Sequence, residues 1–303
     1  MPLLGAKHYD PTGGAAVSKS CASLLAMTAI DTTNLRITFT APANGIVLVR
    51  LRGTIHGATT FPMILLGVLD GSTVKGRQVP MGALKTTAVA TAQLTQEALF
   101  TVSGLTPGNS YTYDAAYAVE VLKASTGIKY GGPNNSTTDD AMGGFVFEIW
   151  DAPNILTAIH YDPASAGTKA TDTLQALTAL DTANLRASFT TPAGCTNVLV
   201  RLRCPINGAT TMPGILLGVL DGSTIKGRQS PIGGVLGTAV ATTNIAHEAS
   251  FIVPVTASTS YTWDAAWGVE IVLASTAIRY GGPNTNVTAN DAWGGFTYEV
   301  WAV

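Results

Sequence analysis

The sequence is short of charge, histidine and cysteine, and it has no long apolar run. Charged residues fill 12% of the 303 positions, about half the usual share of a soluble domain. Seventeen basic against nineteen acidic residues give a net charge of −2, and the basic ones are spread thinly. Binding a phosphate backbone needs a clustered basic footprint, so no nucleic-acid partner is expected. The longest apolar stretches, such as Ile64 to Leu69, fall far short of the ~20 residues of a membrane helix, so no membrane partner is expected either. The opening Met1-Pro2-Leu3-Leu4-Gly5-Ala6-Lys7 reads as neither the charged start nor the apolar run of a signal peptide, and synthesis and folding in a cytoplasm are expected. The three cysteines, Cys21, Cys195 and Cys204, are odd in number and have no metal-like spacing. Cys195 and Cys204 flank an apparent strand that would hold them roughly 20 Å apart, beyond disulfide reach.

What fills the gap is Gly, Ala and Thr, which reads either as a neutral, small-residue surface suited to packing against neighbours or simply as the fit of Thr to strands. The hydrophobic share of 46% is ordinary for a globular protein. At 303 residues, and with domains usually of about 100–150, two domains are the simple expectation.

Internal repetition makes that expectation concrete. His8-Tyr9-Asp10-Pro11 returns as His160-Tyr161-Asp162-Pro163, and Val47 to Arg52 returns unchanged as Val198 to Arg203. The run Ile64 to Thr73 returns unchanged as Ile215 to Thr224, and Tyr130-Gly131-Gly132-Pro133-Asn134 as Tyr280 to Asn284. The period is half the chain. This is a tandem duplication, with one domain over 1–151 and a homologous one over 152–303, joined around Asp151-Ala152-Pro153-Asn154.

No long segment carries a helical period, whereas short β-rich runs separated by turn residues recur. In the first copy the expected strands are Leu35–Thr40, Ile46–Arg52, Met63–Leu69, Thr73–Val79, Glu97–Val102, Ser110–Leu122 and Gly144–Trp150. Asp70-Gly71 is a hairpin signal between two of them. The fold class is all-β, two tandem β-sandwich domains. Along Tyr111–Val121, the residues Tyr111, Tyr113 and Tyr117 share one face, and Tyr261, Trp263 and Trp267 match them. An aromatic row of this kind can stack sugars, but the area it buries makes it core.

Catalytic constellations are missing. The matched acids are Asp70/Asp221, Glu97/Glu248, Asp114/Asp264, Glu120/Glu270 and Glu148/Glu299. Two such carboxylates in a cleft can hydrolyse glycosides. The matched bases Arg36/Arg186, Arg50/Arg201, Arg52/Arg203 and Lys75/Lys226 are nearly as many, so cross-strand ion pairing explains both sets more simply. Of the four histidines, only His8 and His160 match between copies. A zinc site needs three or four converging ligands, so these two are expected to be structural. No cofactor and no metal is expected.

Two loops stand out as candidate partner contacts. The first carries Lys75 and Arg77, matched by Lys226 and Arg228, and would meet either an acidic partner or the protein's own fold. The second runs from Gly131 to Asp140, with Asn134, Asn135, Asp139 and Asp140 matched by Asn284, Asn286 and Asp291. It would lie at one end of the sandwich, where such folds present recognition loops. Its oxygens are of the kind that hold Ca²⁺, without EF-hand order.

The segment Gly104-Leu105-Thr106-Pro107-Gly108-Asn109-Ser110-Tyr111 resembles the tyrosine corner of fibronectin type III and immunoglobulin-like sandwiches. The second copy keeps Tyr261 and loses the Pro-Gly. An immunoglobulin-like strand order is therefore favoured, with a jelly roll as the alternative.

The neutral Ala/Thr/Gly-rich texture, the closing pattern Gly143-Gly144-Phe145-Val146-Phe147-Glu148-Ile149-Trp150 and its echo Gly294 to Trp301 resemble virion structural proteins of tailed bacteriophages, of the capsid decoration or cement kind. That resemblance implies a non-enzymatic protein on the outer capsid surface. Its partners would be the major capsid protein or other virion proteins, and it would form a homo-oligomer, such as a trimer with pseudo-sixfold character. The alternative is a receptor- or carbohydrate-binding module of a fibre or adhesin. That reading calls for exposed aromatics in the end loops, where Met142 and Trp293 differ between copies.

Overall fold

The computed structural model describes residues 1–10, 17–19, 26–57, 64–81, 93–119, 128–131, 143–163, 167–170, 176–208, 214–232, 244–269, 277–282 and 294–303. The chain divides into two compact units, Met1–Pro153 and Asn154–Val303. Among the described residues every regular element is a strand.

The first unit contains β1 (Leu3–Tyr9), β2 (Val17–Lys19), β3 (Thr28–Ala29), β4 (Arg36–Thr40), β5 (Val47–Gly57), β6 (Ile64–Asp70), β7 (Thr73–Gln78), β8 (Gln93–Val102), β9 (Ser110–Val119), β10 (Ile128–Tyr130) and β11 (Phe145–Asp151). In the larger sheet, the long β5 pairs with β8 on one side and with β11 and β10, end to end, on the other. β1 lies outside β11 and β2 outside β10. In the smaller sheet, β7, β6 and β9 follow in order, and both β4 and β3 pair with the far side of β9.

These pairings are nested. β6 pairs with β7, β5 with β8, β3 and β4 with β9, and β1 and β2 with β11 and β10, every pair antiparallel. The unit is therefore one long hairpin rolled up so that successive pairs fall in alternate sheets. If each interrupted strand is counted once, the sheet orders are 1-8-3-6 and 2-7-4-5, the order of a jelly roll. The β-sandwich is as the sequence indicates. The favoured immunoglobulin-like order is not found, because that fold pairs its first strand with its second, whereas here the first pairs with the last. A local tyrosine corner does not determine how distant strands pair.

The second unit repeats the plan with β12 (Ile155–Tyr161), β13 (Gly167–Ala170), β14 (Thr178–Ala179), β15 (Arg186–Thr190), β16 (Asn197–Gly208), β17 (Ile215–Asp221), β18 (Thr224–Gln229), β19 (Asn244–Pro254), β20 (Ser260–Val269), β21 (Ala277–Tyr280) and β22 (Phe296–Ala302).

Period-two patterning builds the cores. In β4, Ile37 and Phe39 are buried between exposed Arg36, Thr38 and Thr40. They meet Val49, Leu51, Phe100 and Phe147 of the larger sheet. The aromatic row of β9 is core: Tyr113 and Tyr117 are fully buried, as are Trp263 and Trp267. Phe39 packs edge-on to Tyr113 at 5.0 Å between ring centroids, and Phe189 does the same with Trp263 at 5.0 Å. Burying each such ring contributes about 2–3 kcal/mol.

The tyrosine corner forms in both units. The Thr106 N–H donates to the Tyr111 hydroxyl at 3.0 Å, and the Thr256 N–H to the Tyr261 hydroxyl at 2.8 Å. Cys195 and Cys204 are buried free thiols, and burial pushes the Cys204 pKa up. Cys21 lies outside the described residues.

Candidate functional site

The two basic loops sit on the hairpins β6–β7 and β17–β18. Between Val68·Gly76 and Leu69·Val74 the register slips, so Lys75 is the extra residue of a β-bulge. A bulge re-aims its side chain, and Lys75 turns back to Asp70 at 3.5 Å. Lys226 occupies the same bulge and reaches Asp221 at 3.3 Å. Arg77 and Arg228 differ sharply: the first is 7% exposed, whereas the second lies open at the surface. The other candidate contacts, Asn134, Asn135, Asp139, Asp140, Asn284, Asn286 and Asp291, lie outside the described residues. Among the described residues no three His, Cys, Asp or Glu side chains gather as a metal site, and no helix is long and apolar enough to cross a membrane.

The matched acids and bases among the described residues meet across strands; Glu120 and Glu270, like Met142 and Trp293, lie outside the described residues. Arg36 stands opposite Asp114 and donates two bonds to it, at 2.7 and 2.9 Å. Arg186 grips Asp264 at 2.7 and 3.0 Å. Hydrogen bonding to the carboxylate raises the pKa of each arginine.

The larger sheet carries a more elaborate group on its outer face. Arg50, the fourth residue of β5, donates from Nε and Nη2 to Glu97 Oε2 on β8, at 3.1 and 2.9 Å. Its Nη1 reaches Glu148 Oε2 on β11 at 3.5 Å, and the Trp150 indole N–H donates to that same oxygen at 3.1 Å. The second unit repeats this: Arg201 contacts Glu248 at 3.1 and 3.2 Å and Glu299 at 3.6 Å, and Trp301 donates to Glu299 at 3.1 Å. The pKa of Arg50 is raised, chiefly by its hydrogen bond to Glu97, with partial burial opposing. Each acid of the trio commits an oxygen to the same guanidinium, so the group is a Glu–Arg–Glu bridge with an aromatic rim. The sequence reading paired the charges and missed the indoles. The signal for them was Glu148-x-Trp150 and Glu299-x-Trp301, since a two-residue spacing puts both side chains on one face of a strand.

In the first unit this group lies in a trough of about 510 Å³, lined by the apolar Met1, Leu48, Leu99 and Trp150 together with Arg50, Glu97 and Glu148. A second hollow of about 330 Å³ continues past Arg50 and Glu148 towards Arg52, Thr54 and Val146.

No family model matches the chain, and no curated protein matches it. Among solved structures, PNGF-II is similar at 8% identity and a TM-score of 0.36, over 99% of this chain, which spans 65% of the PNGF-II chain. The tandem CBM22 domains of Paenibacillus barcinonensis Xyn10C match at 10% identity and a TM-score of 0.24, over 99% of this chain and 98% of that one. The VP2 protein of infectious bursal disease virus matches at 11% and 0.22, over 97% and 75%. Tandem carbohydrate-binding domains and a viral capsid protein thus both figure among the weak likenesses, and no residue role is carried over from either.

Proposed function

We propose that this chain is a non-enzymatic virion structural protein, a decoration protein on the outer capsid surface that holds neighbouring subunits of the major capsid protein and acts as a homo-oligomer. The observation that carries this reading is the outer face of the larger sheet, where apolar Leu48, Leu99 and Trp150 surround charges already paired with one another. A protein interface that holds permanently needs a centre free of unpaired charge, and this face can lose its water without stranding an ion. The rest of the surface fits. Hydroxyl pairs such as Thr38–Thr112 at 2.9 Å and Thr190–Ser260 at 2.9 Å make neutral, flat sheet exteriors.

Antibodies raised against the purified chain, applied to virions from the source lysate and imaged by immunogold electron microscopy, test the reading. Regular label over the head surface is expected. Label confined to tail fibres would move the function to receptor binding. That second reading draws on the indole wall of the trough beside hydrogen-bonding groups, and a glycan array then becomes the assay. Virions without label would overturn both.

A further inference from the structure

Only Ala152-Pro153-Asn154 separates the last strand of the first unit from the first strand of the second. Three-residue connections are common hairpin loops. A hairpin closing on Asp151 and Ile155 would put Thr157 opposite Ile149. Ala158, Ile159, His160 and Tyr161 would then stand opposite Glu148, Phe147, Val146 and Phe145. Those are the places that Gly5, Ala6, Lys7, His8 and Tyr9 hold in the β1–β11 ladder, in the same antiparallel sense. β12 is thus a competitor for β1 in β1's own register. It also has far the shorter loop to close, and closure entropy grows with loop length. Yet β1 pairs with β11, and β12 pairs with β22.

What tells the two strands apart is the volume they bring against the smaller sheet. β1 lies against β4, and β12 against β15. Gly5 is so close to Ile37 that a Cβ added to it would overlap the Ile37 Cγ2 methyl. That methyl sits on a branched Cβ with little rotamer freedom, inside the core. After the same bulge, the second unit has Thr157 in the place of Gly5. Its β15 has Ala187 in the place of Ile37, and its β22 has Val300 in the place of Ile149. All four of these partners belong to the cores of their units. What Thr157 adds over glycine, Ala187 and Val300 give up. A threonine brought against Ile37 would have to displace it from a close-packed interior, and overpacking of that kind is destabilising. The converse, a glycine beside Ala187, would leave a void.

We infer that the Gly5–Ile37 and Thr157–Ala187 pairs sort the first strands: each unit admits its own first strand beside its last one, and the β11–β12 hairpin that the duplication makes available is refused. A chain with β12 in the place of β1 would leave β1 loose and β22 with an open edge. Two such chains would satisfy each other by exchanging strands, a characteristic failure of tandem repeats. Sorting by size lets two copies of one fold stand next to each other on a chain and still fold separately. The inference goes beyond the capsid reading, since it holds whatever the outer face of the larger sheet binds.

The test uses the full chain, unfolded in denaturant and refolded by dilution over a range of concentrations. Gly5→Thr alone is expected to raise the unfolding constant of the first unit about tenfold or more, read by hydrogen exchange of first-unit peptides. Adding Ile37→Ala is expected to recover most of that loss. The double variant carries the threonine–alanine pair in both units, so size no longer separates β1 from β12. By light scattering it is expected to refold partly into species heavier than before unfolding, with a share that rises with concentration. The unaltered chain is expected to regain its starting mass. Thr157→Gly with Ala187→Ile gives both units the other pair and is expected to behave alike, so the result does not hang on one variant. A double variant no more stable than Gly5→Thr would overturn the size pairing. Doubles that refold as cleanly as the unaltered chain, or an unaltered chain that itself refolds to mixed masses, would overturn the sorting.

Discussion

Ser258 is the one described non-glycine residue with a left-handed backbone, at φ 55°, and it stands where the first unit has Gly108 at φ 79°. An L side chain in that region costs roughly 1–2 kcal/mol, and the tyrosine corner needs the turn regardless of which residue makes it. Ser258→Gly is expected to raise stability by about 0.5–1 kcal/mol, the relief being partly offset by glycine's unfolded entropy. Gly108→Ser is expected to lower it by about 1 kcal/mol, both read by chemical denaturation. A second residue-scale device is Asp181. Partial burial works to raise its pKa, yet hydrogen bonds from Asn184, Ala183 and Tyr161 outweigh burial and the value is lowered. A carboxylate with a lowered native pKa stabilises the fold above its unfolded pKa of about 3.9 and loses that contribution as pH falls through the native value. Melting temperature measured from neutral into acid should therefore drop below about pH 4, and Asp181→Asn should flatten the drop.

At the scale of the strand, the matched Glu–Arg–Glu bridges offer a controlled comparison. Arg50 and Glu97 are each about a third exposed, whereas Arg201 is 12% and Glu299 2% exposed. Breaking a pair near the surface costs about 1 kcal/mol or less, but taking the cation from a buried pair costs about 3–5 kcal/mol. Arg201→Ala should thus destabilise several-fold more than Arg50→Ala, as read from denaturant midpoints. Glycine in an edge strand gives a further contrast. A Cβ added at Gly76 would lie 2.7 Å from the Phe100 ring, so the ring must shift for β7 to keep its place. Gly76→Ala is expected to cost about 1–3 kcal/mol through overpacking.

On the scale of the whole molecule, each unit has its own core, drawn from its own strands. Phe100→Ala should cost about 3–5 kcal/mol, and hydrogen exchange read by mass spectrometry should place the lost protection in peptides of the first unit. Equal loss in both units would contradict separate cores.

The sequence by itself determined the duplication, the all-β class and seven of the first unit's eleven strands, because repeated strings and period-two burial are local properties of the chain. The same holds for the Asp70-Gly71 hairpin and for the pairing of matched acids with matched bases. It did not show β1, β2, β3 and β10. β1 has an edge strand's mixed burial, with Gly5 and Lys7 among its residues, and the other three are two or three residues long. Their existence depends on partners such as β11, β9 and β5, far away in the chain. Only the tertiary structure decided the strand order, since pairing the first strand with the last is a long-range choice that no local turn encodes. It alone placed Trp150 on the rim of the Arg50 bridge, and it alone distinguished buried Arg77 from exposed Arg228, because identical residues are told apart only by what lies over them.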